Sequence, residues 1–94
     1  MATYLLFGQY TQNGLKDISA KRTEKSRELI EKYGGSVKAG YALLGDSDLV
    51  IVLDAPDTAA VMKISVALSK MTGIGFTSAP AVSFEEFDQF MDEV

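Results

Sequence analysis

LVIVLDAP, residues 49–56, sets five aliphatic side chains in a row, Leu49, Val50, Ile51, Val52 and Leu53. A strand with one face in water alternates apolar and polar residues, because successive side chains point to opposite faces of the sheet. This run therefore needs cover on both sides: Leu49, Ile51 and Leu53 on one face, Val50 and Val52 on the other. Pro56 ends the strand by removing a ladder donor, and Asp57 stands where a helix N-cap belongs.

Working outward, Asp57 introduces a helix over residues 58–72, with Val61, Ile64, Leu68 and Met71 as its core stripe. Lys63 and Lys70 mark a narrow wet stripe, and the wide surface of apolar and small residues between suggests more than one covered face. On the other side, Gly45-Asp46-Ser47 reads as a hairpin turn joining a strand over residues 36–44 to the strand over 48–54, which makes the pair antiparallel. Residues 3–10 form a first strand closing on a Thr-Gln-Asn-Gly turn at 11–14. Residues 18–33 form a first helix stopped by Gly34-Gly35. Followed back from Tyr33, Ile30 and Leu29, the inner stripe of that helix becomes polar at Ser26, Thr23 and Arg22. Either its first turns project past the sheet into water, or Arg22 reaches over the sheet end as an anion contact. Residues 75–82 supply a fourth strand. Ser83-Phe-Glu-Glu86 is a capping box for a last helix over 84–93, expected to turn Phe84, Phe87, Phe90 and Met91 inward.

The order βαββαβ plus a C-terminal helix is the ferredoxin-like plan, an α+β fold of four antiparallel strands with helices on one face, in a single domain over residues 1–94. Such a sheet normally meets water with a polar outer row. Here both rows are apolar: Tyr4 and Leu6 oppose Leu5 and Phe7, and Tyr41 and Leu43 oppose Ala42 and Leu44. A bare patch of several hundred Å2 is rare on monomers. Covering about 400 Å2 on each of two subunits is worth on the order of 20 kcal/mol before the cost of association. A homodimer or higher oligomer, with the sheets packed face to face, is the expected arrangement.

Composition excludes several classes. Of 94 residues 47% are hydrophobic and 23% charged, which fits a folded globular chain. The net charge of −4 argues against nucleic acid or an anionic membrane as partner. No Cys and no His are present, so thiolate and imidazole metal sites and the usual neutral-pH base are absent. No metal or cofactor is expected. No segment nears the roughly 18 apolar residues of a membrane span, and the start lacks a basic, apolar leader, so the cytoplasm is the expected location.

Across nearly its whole length the chain resembles the GYD domain family within the dimeric α+β barrel class. The features carrying the resemblance are the first strand over residues 4–10 with its Thr-Gln-Asn-Gly turn, the Gly34-Gly35 stop, the hairpin Gly45-Asp46-Ser47-Asp48, Asp54-Ala-Pro-Asp57 and Phe84-Glu-Glu-Phe87. The family motif places Gly, any residue, Tyr and Asp at that hairpin. Gly45 and Asp48 match it, and Ser47 stands in the tyrosine's position. The resemblance implies a homodimer of ferredoxin-like sheets and no assigned activity. The wider class holds cofactor-free monooxygenases, haem enzymes and ligand-sensing domains, so fold carries little functional weight.

The carboxylates Asp46, Asp48, Asp54 and Asp57 sit where turns and caps favour Asp. Gly8, in mid-strand, either opens room for a ligand or accommodates a neighbour. Around it gather the polar candidates Gln9, Tyr10, Tyr41 and Arg22. The leading expectation is a module that binds or senses a small apolar or aromatic molecule between helices and sheet, oriented by Gln9, Tyr10 and Tyr41. The alternatives are an assembly protein without a ligand, and a cofactor-independent enzyme, monooxygenase- or isomerase-like, with Asp48 as its base.

Overall fold

A computed structural model describes all 94 residues, the side chain of Asn13 excepted. The elements run β1 (Ala2–Tyr10), α1 (Gln12–Lys16), α2 (Ala20–Lys32), β2 (Ser36–Ala42), β3 (Leu49–Ala55), α3 (Thr58–Thr72), β4 (Ile74–Ala81) and α4 (Phe84–Met91). The strands form one sheet in the order β2-β3-β1-β4, and every neighbouring pair is antiparallel. This is the α+β, ferredoxin-like arrangement.

Register assigns the two faces. Tyr4 pairs with Leu53, and Leu6 with Ile51, on the face beneath α2 and α3. There Leu6, Leu53, Ile30, Ile64 and Leu68 are fully buried and form the core with Tyr4, Ala55, Ala60 and Val61. The opposite face carries the pairs Leu5–Val52 and Phe7–Val50, all half-buried, with Tyr41 opposite Val50. Among the described residues, the long helices packed on the sheet, α2 and α3, lie on the other face.

The helices start and stop where their caps lie. Asp57 accepts a hydrogen bond from the Ala60 N–H at 2.8 Å, satisfying one of the donors that open α3. Gly73, at φ 74°, closes α3 in the left-handed region that a side chain disfavours, and its N–H returns to the Ser69 carbonyl. Along α3, Met71, expected in the core stripe, is 39% exposed and Thr72 is buried in its stead, its hydroxyl donating back to the Leu68 carbonyl at 2.7 Å.

Three further local expectations change. Residues 12–16 form a short helix and not an open turn: Thr11 caps it by accepting from the Gly14 N–H at 3.0 Å, and the same hydroxyl donates to the Gly73 carbonyl. β2 ends at Ala42, leaving Leu43 and Leu44 in the hairpin loop with Leu44 fully exposed. The largest difference is α4. Ser83 caps it as expected, accepting from the Glu86 N–H at 3.1 Å. Yet the helix buries no residue: Phe84, Phe87, Phe90 and Met91 all face out, with Phe84 90% exposed. Amphipathic spacing says which face is apolar; it does not say that the same chain supplies the cover. Among the described residues, no helix is long and apolar enough to cross a membrane.

Candidate functional site

A cleft of about 330 Å3 opens between the N-terminal half of α2 and the sheet. The sequence explains it by small residues on both walls. Ile30 fills its place in the core, but one and two turns earlier the helix presents Ser26 and then Thr23 and Arg22. On the facing edge strand, Gly40 and Ala42 replace the bulky residues found elsewhere in the sheet. The floor is apolar, made by Ile30, Val37, Leu49, Ile51, Ile74 and Phe76.

Polar groups concentrate at one end. Arg22 donates from Nη1 to the Gly14 carbonyl, and its guanidinium lies over the Tyr10 ring, 6.0 Å from the centroid. This combination of a cation over an aromatic face and a backbone anchor holds the arginine in one place. Both readings of the polar inner stripe have a counterpart here: Arg22 lies over the end of β1, while its neighbours Lys21, Thr23 and Lys25 are exposed to water. The hydroxyls are engaged within α2: Ser19 Oγ accepts from the Arg22 N–H at 3.1 Å, and Ser26 Oγ donates to the Arg22 carbonyl at 2.9 Å.

Tyr10 and Arg22 thus meet in the cleft, and the remaining candidates separate from them. Gln9, being next to Tyr10 in the strand, points to the opposite face, where its amide donates to the Asp46 carbonyl at 2.7 Å. Tyr41 borders the cleft at the β2 edge, but its register opposite Val50 puts its side chain on the helix-free face, where it is 61% exposed. Gly8 accommodates neighbours: a Cβ there would lie 2.9 Å from Leu49 Cγ and 3.0 Å from Phe76 Cε1, both of which line the cleft.

Asp48 accepts the Tyr10 backbone N–H at 2.8 Å, while its own N–H donates to the Gly8 carbonyl and its carbonyl accepts from Leu43. The hairpin of residues 45–48 is thereby sewn to the end of β1, and the carboxylate serves the backbone there. Ser47 is half-buried beside it. Asp54 lies at the far edge of the helix-free face. The Thr3 hydroxyl, donating at 2.8 Å, holds its carboxyl below the usual aspartate range, and Lys38 at 3.4 Å adds to this against partial burial.

The sequence signal missed for this site was the run of small side chains. Ser26, Thr23, Gly40 and Ala42 are unremarkable singly, and only the packing of α2 on β2 aligns them into a void.

Fold and cleft together define a ferredoxin-like α+β domain with a concave, partly apolar site under its first long helix. The sequence matches the GYD domain family over residues 4–91, nearly its whole length, and the chain belongs to that family. Among proteins of curated function, none matches it. Similar solved structures include the leucine response regulatory protein LrpA of Mycobacterium tuberculosis, with TM-score 0.58, 8% identity, 87% of this chain and 51% of that one covered. An AsnC family transcriptional regulator from Agrobacterium tumefaciens has TM-score 0.58 and 19% identity over 87% of this chain and 50% of its own. The chain spans about half the length of these regulators, and at such identities the similarity is one of fold.

Proposed function

We propose that this GYD domain is a self-associating module that binds a small molecule in the cleft beneath α2. The observation that carries the reading is the cleft itself: about 330 Å3, apolar in its floor and polar at one end, where Arg22 is fixed against Tyr10. A concave apolar site with a few convergent polar groups is the usual form of a small-molecule site. The fold shared with two transcriptional regulators, one named for a response to leucine, is consistent with a sensing role.

Self-association rests on the surface left bare. Leu5, Phe7, Val50 and Val52 form an apolar row on the helix-free face, and α4 adds Phe84, Phe87 and Phe90. A second copy of the chain offers the same row to meet it, as two-fold interfaces do.

Thermal-shift screening of a metabolite library, followed by amide shift mapping, tests the binding reading. Hits that move Tyr10, Arg22 and Ser26 support it. Silence across the library, or hits that map elsewhere, removes it and leaves assembly as the function.

A further inference from the structure

We infer that the cleft selects a carboxylate with an apolar body, Arg22 taking the charged head and the floor of Leu49, Ile51 and Phe76 taking the tail. The inference deepens the proposed binding function and rests on it. Its basis is the distribution of charge. The chain is acidic, with 13 Asp and Glu against 9 Lys and Arg, and only two of those nine are arginines, Arg22 and Arg27. Both line the cleft, and among the described residues no Asp or Glu does. An acidic protein that brings both its arginines to one concavity, with no carboxylate among the lining and none paired with Arg22, has left that position for an anion from outside.

The partners of the two arginines sharpen the point. Arg22 is half-buried and spends one terminal nitrogen on the Gly14 carbonyl, so its planar fork keeps further N–H donors without a protein carboxylate to receive them. The Tyr10 ring and the Gly14 carbonyl fix the fork in place, so little side-chain freedom remains to be lost when an anion docks. Arg27 stands at the rim, its side chain 50% exposed, and meets Glu24 only at 3.9 Å across one helical turn. A surface pair of that kind is weak and gives way readily to a better-placed anion.

The same geometry selects a carboxylate over a phosphate ester. A dianionic phosphate is held by several donors at once, commonly the free N–H groups of a helix start. Here the Arg22 N–H at the α2 start is already taken by Ser19 Oγ, and among the described residues no lysine lines the cleft to add donors. One anchored guanidinium matches the two oxygens of a single carboxylate.

The test compares octanoate, octanamide and octyl phosphate by isothermal titration on the wild-type chain, with amide shift mapping to locate each. Octanoate is expected to bind in the cleft, and octanamide and octyl phosphate each roughly tenfold or more weaker. Arg22→Gln should bring octanoate down to the level of the amide, Arg22→Lys should restore part of the difference, and Arg27→Gln should cost less than Arg22→Gln. Circular dichroism of each variant confirms folding, and the wild-type comparison needs no variant at all. Octanamide or octyl phosphate binding in the cleft as tightly as octanoate overturns the carboxylate assignment and leaves the binding function standing. If none of the three binds there while other molecules do, the assignment fails alone; if nothing at all enters the cleft, both readings fail.

Discussion

Asp48 and Tyr10 are joined across 38 positions of sequence: the Asp48 carboxylate accepts the Tyr10 backbone N–H at 2.8 Å. This bond ends β1 at the residue whose ring supports Arg22, so a turn carboxylate holds one wall of the cleft. Asp48→Ala leaves that N–H without its acceptor and is expected to destabilise the chain by about 1 kcal/mol. Asp48→Asn, which keeps an acceptor, should cost less. Urea unfolding of the two variants gives the comparison, and equal losses would remove the backbone role.

Gly8 is filled by its neighbours. With Leu49 Cγ only 2.9 Å from a built Cβ and Phe76 Cε1 at 3.0 Å, Gly8→Val must displace both. Overpacking of this kind costs about 1–3 kcal/mol. Because Leu49 and Phe76 also line the cleft, the same variant should shift their methyl and ring resonances together. Unchanged stability in urea would refute the close packing.

Filling the cleft should stabilise the fold. Ser26 sits on the α2 stripe where a larger residue would reach the sheet, and its hydroxyl is bonded only to its own helix. Ser26→Leu is expected to raise stability by about 1 kcal/mol through apolar burial while blocking the cleft to octanoate. A stabilised variant that still binds octanoate with wild-type affinity would place the ligand elsewhere.

The helix-free face predicts the assembly state. Phe7→Lys and Val52→Lys each put a charge in the middle of the apolar row while leaving the core residues Leu6 and Leu53 untouched. Sedimentation equilibrium should find the wild-type chain self-associated and the variants at the 10.2 kDa of one chain. A monomeric wild type refutes the proposed assembly.

Asp54 sets a pH dependence. Its folded-state pKa lies below the ordinary 3.8, chiefly through the Thr3 hydroxyl. Stability from this group is therefore present above pH 3.8 and is lost as pH falls through the lowered folded value. Thr3→Val removes the main cause, so Asp54 should titrate closer to its ordinary value, read from its carboxyl carbon shift. No change in that titration would assign the lowering to Lys38.

Much of the fold was legible because local chemistry and packing agree. α3 runs over Thr58–Thr72 as its Asp57 cap and terminal Gly73 require, and the division of residues 49–53 between two faces follows from the two-residue period of a strand. The four strands needed no long-range information beyond hairpin spacing. α1 was hidden because Thr-Gln-Asn-Gly suits an open turn equally well; the contact that favours the helix, Thr11 to the Gly73 carbonyl, comes from 62 residues away. The site was half legible. Arg22 and Tyr10 stand out by residue type, but the adjacency that groups Gln9 with them means, in a strand, opposite faces. The inward reading of α4 failed for a related reason: its spacing names an apolar face without naming what meets it.

The hairpin at residues 45–48 touches both sides of the sheet, through Gln9 to the Asp46 carbonyl on one and through Asp48 to the Tyr10 backbone beside the cleft on the other. Given the proposed pairing through the helix-free face and the proposed ligand in the cleft, a turn gripping both would give assembly and occupancy a common lever. Coupling of this kind is reciprocal: dilution that separates the subunits would loosen the hold on a ligand, and saturating ligand would shift the concentration at which they part.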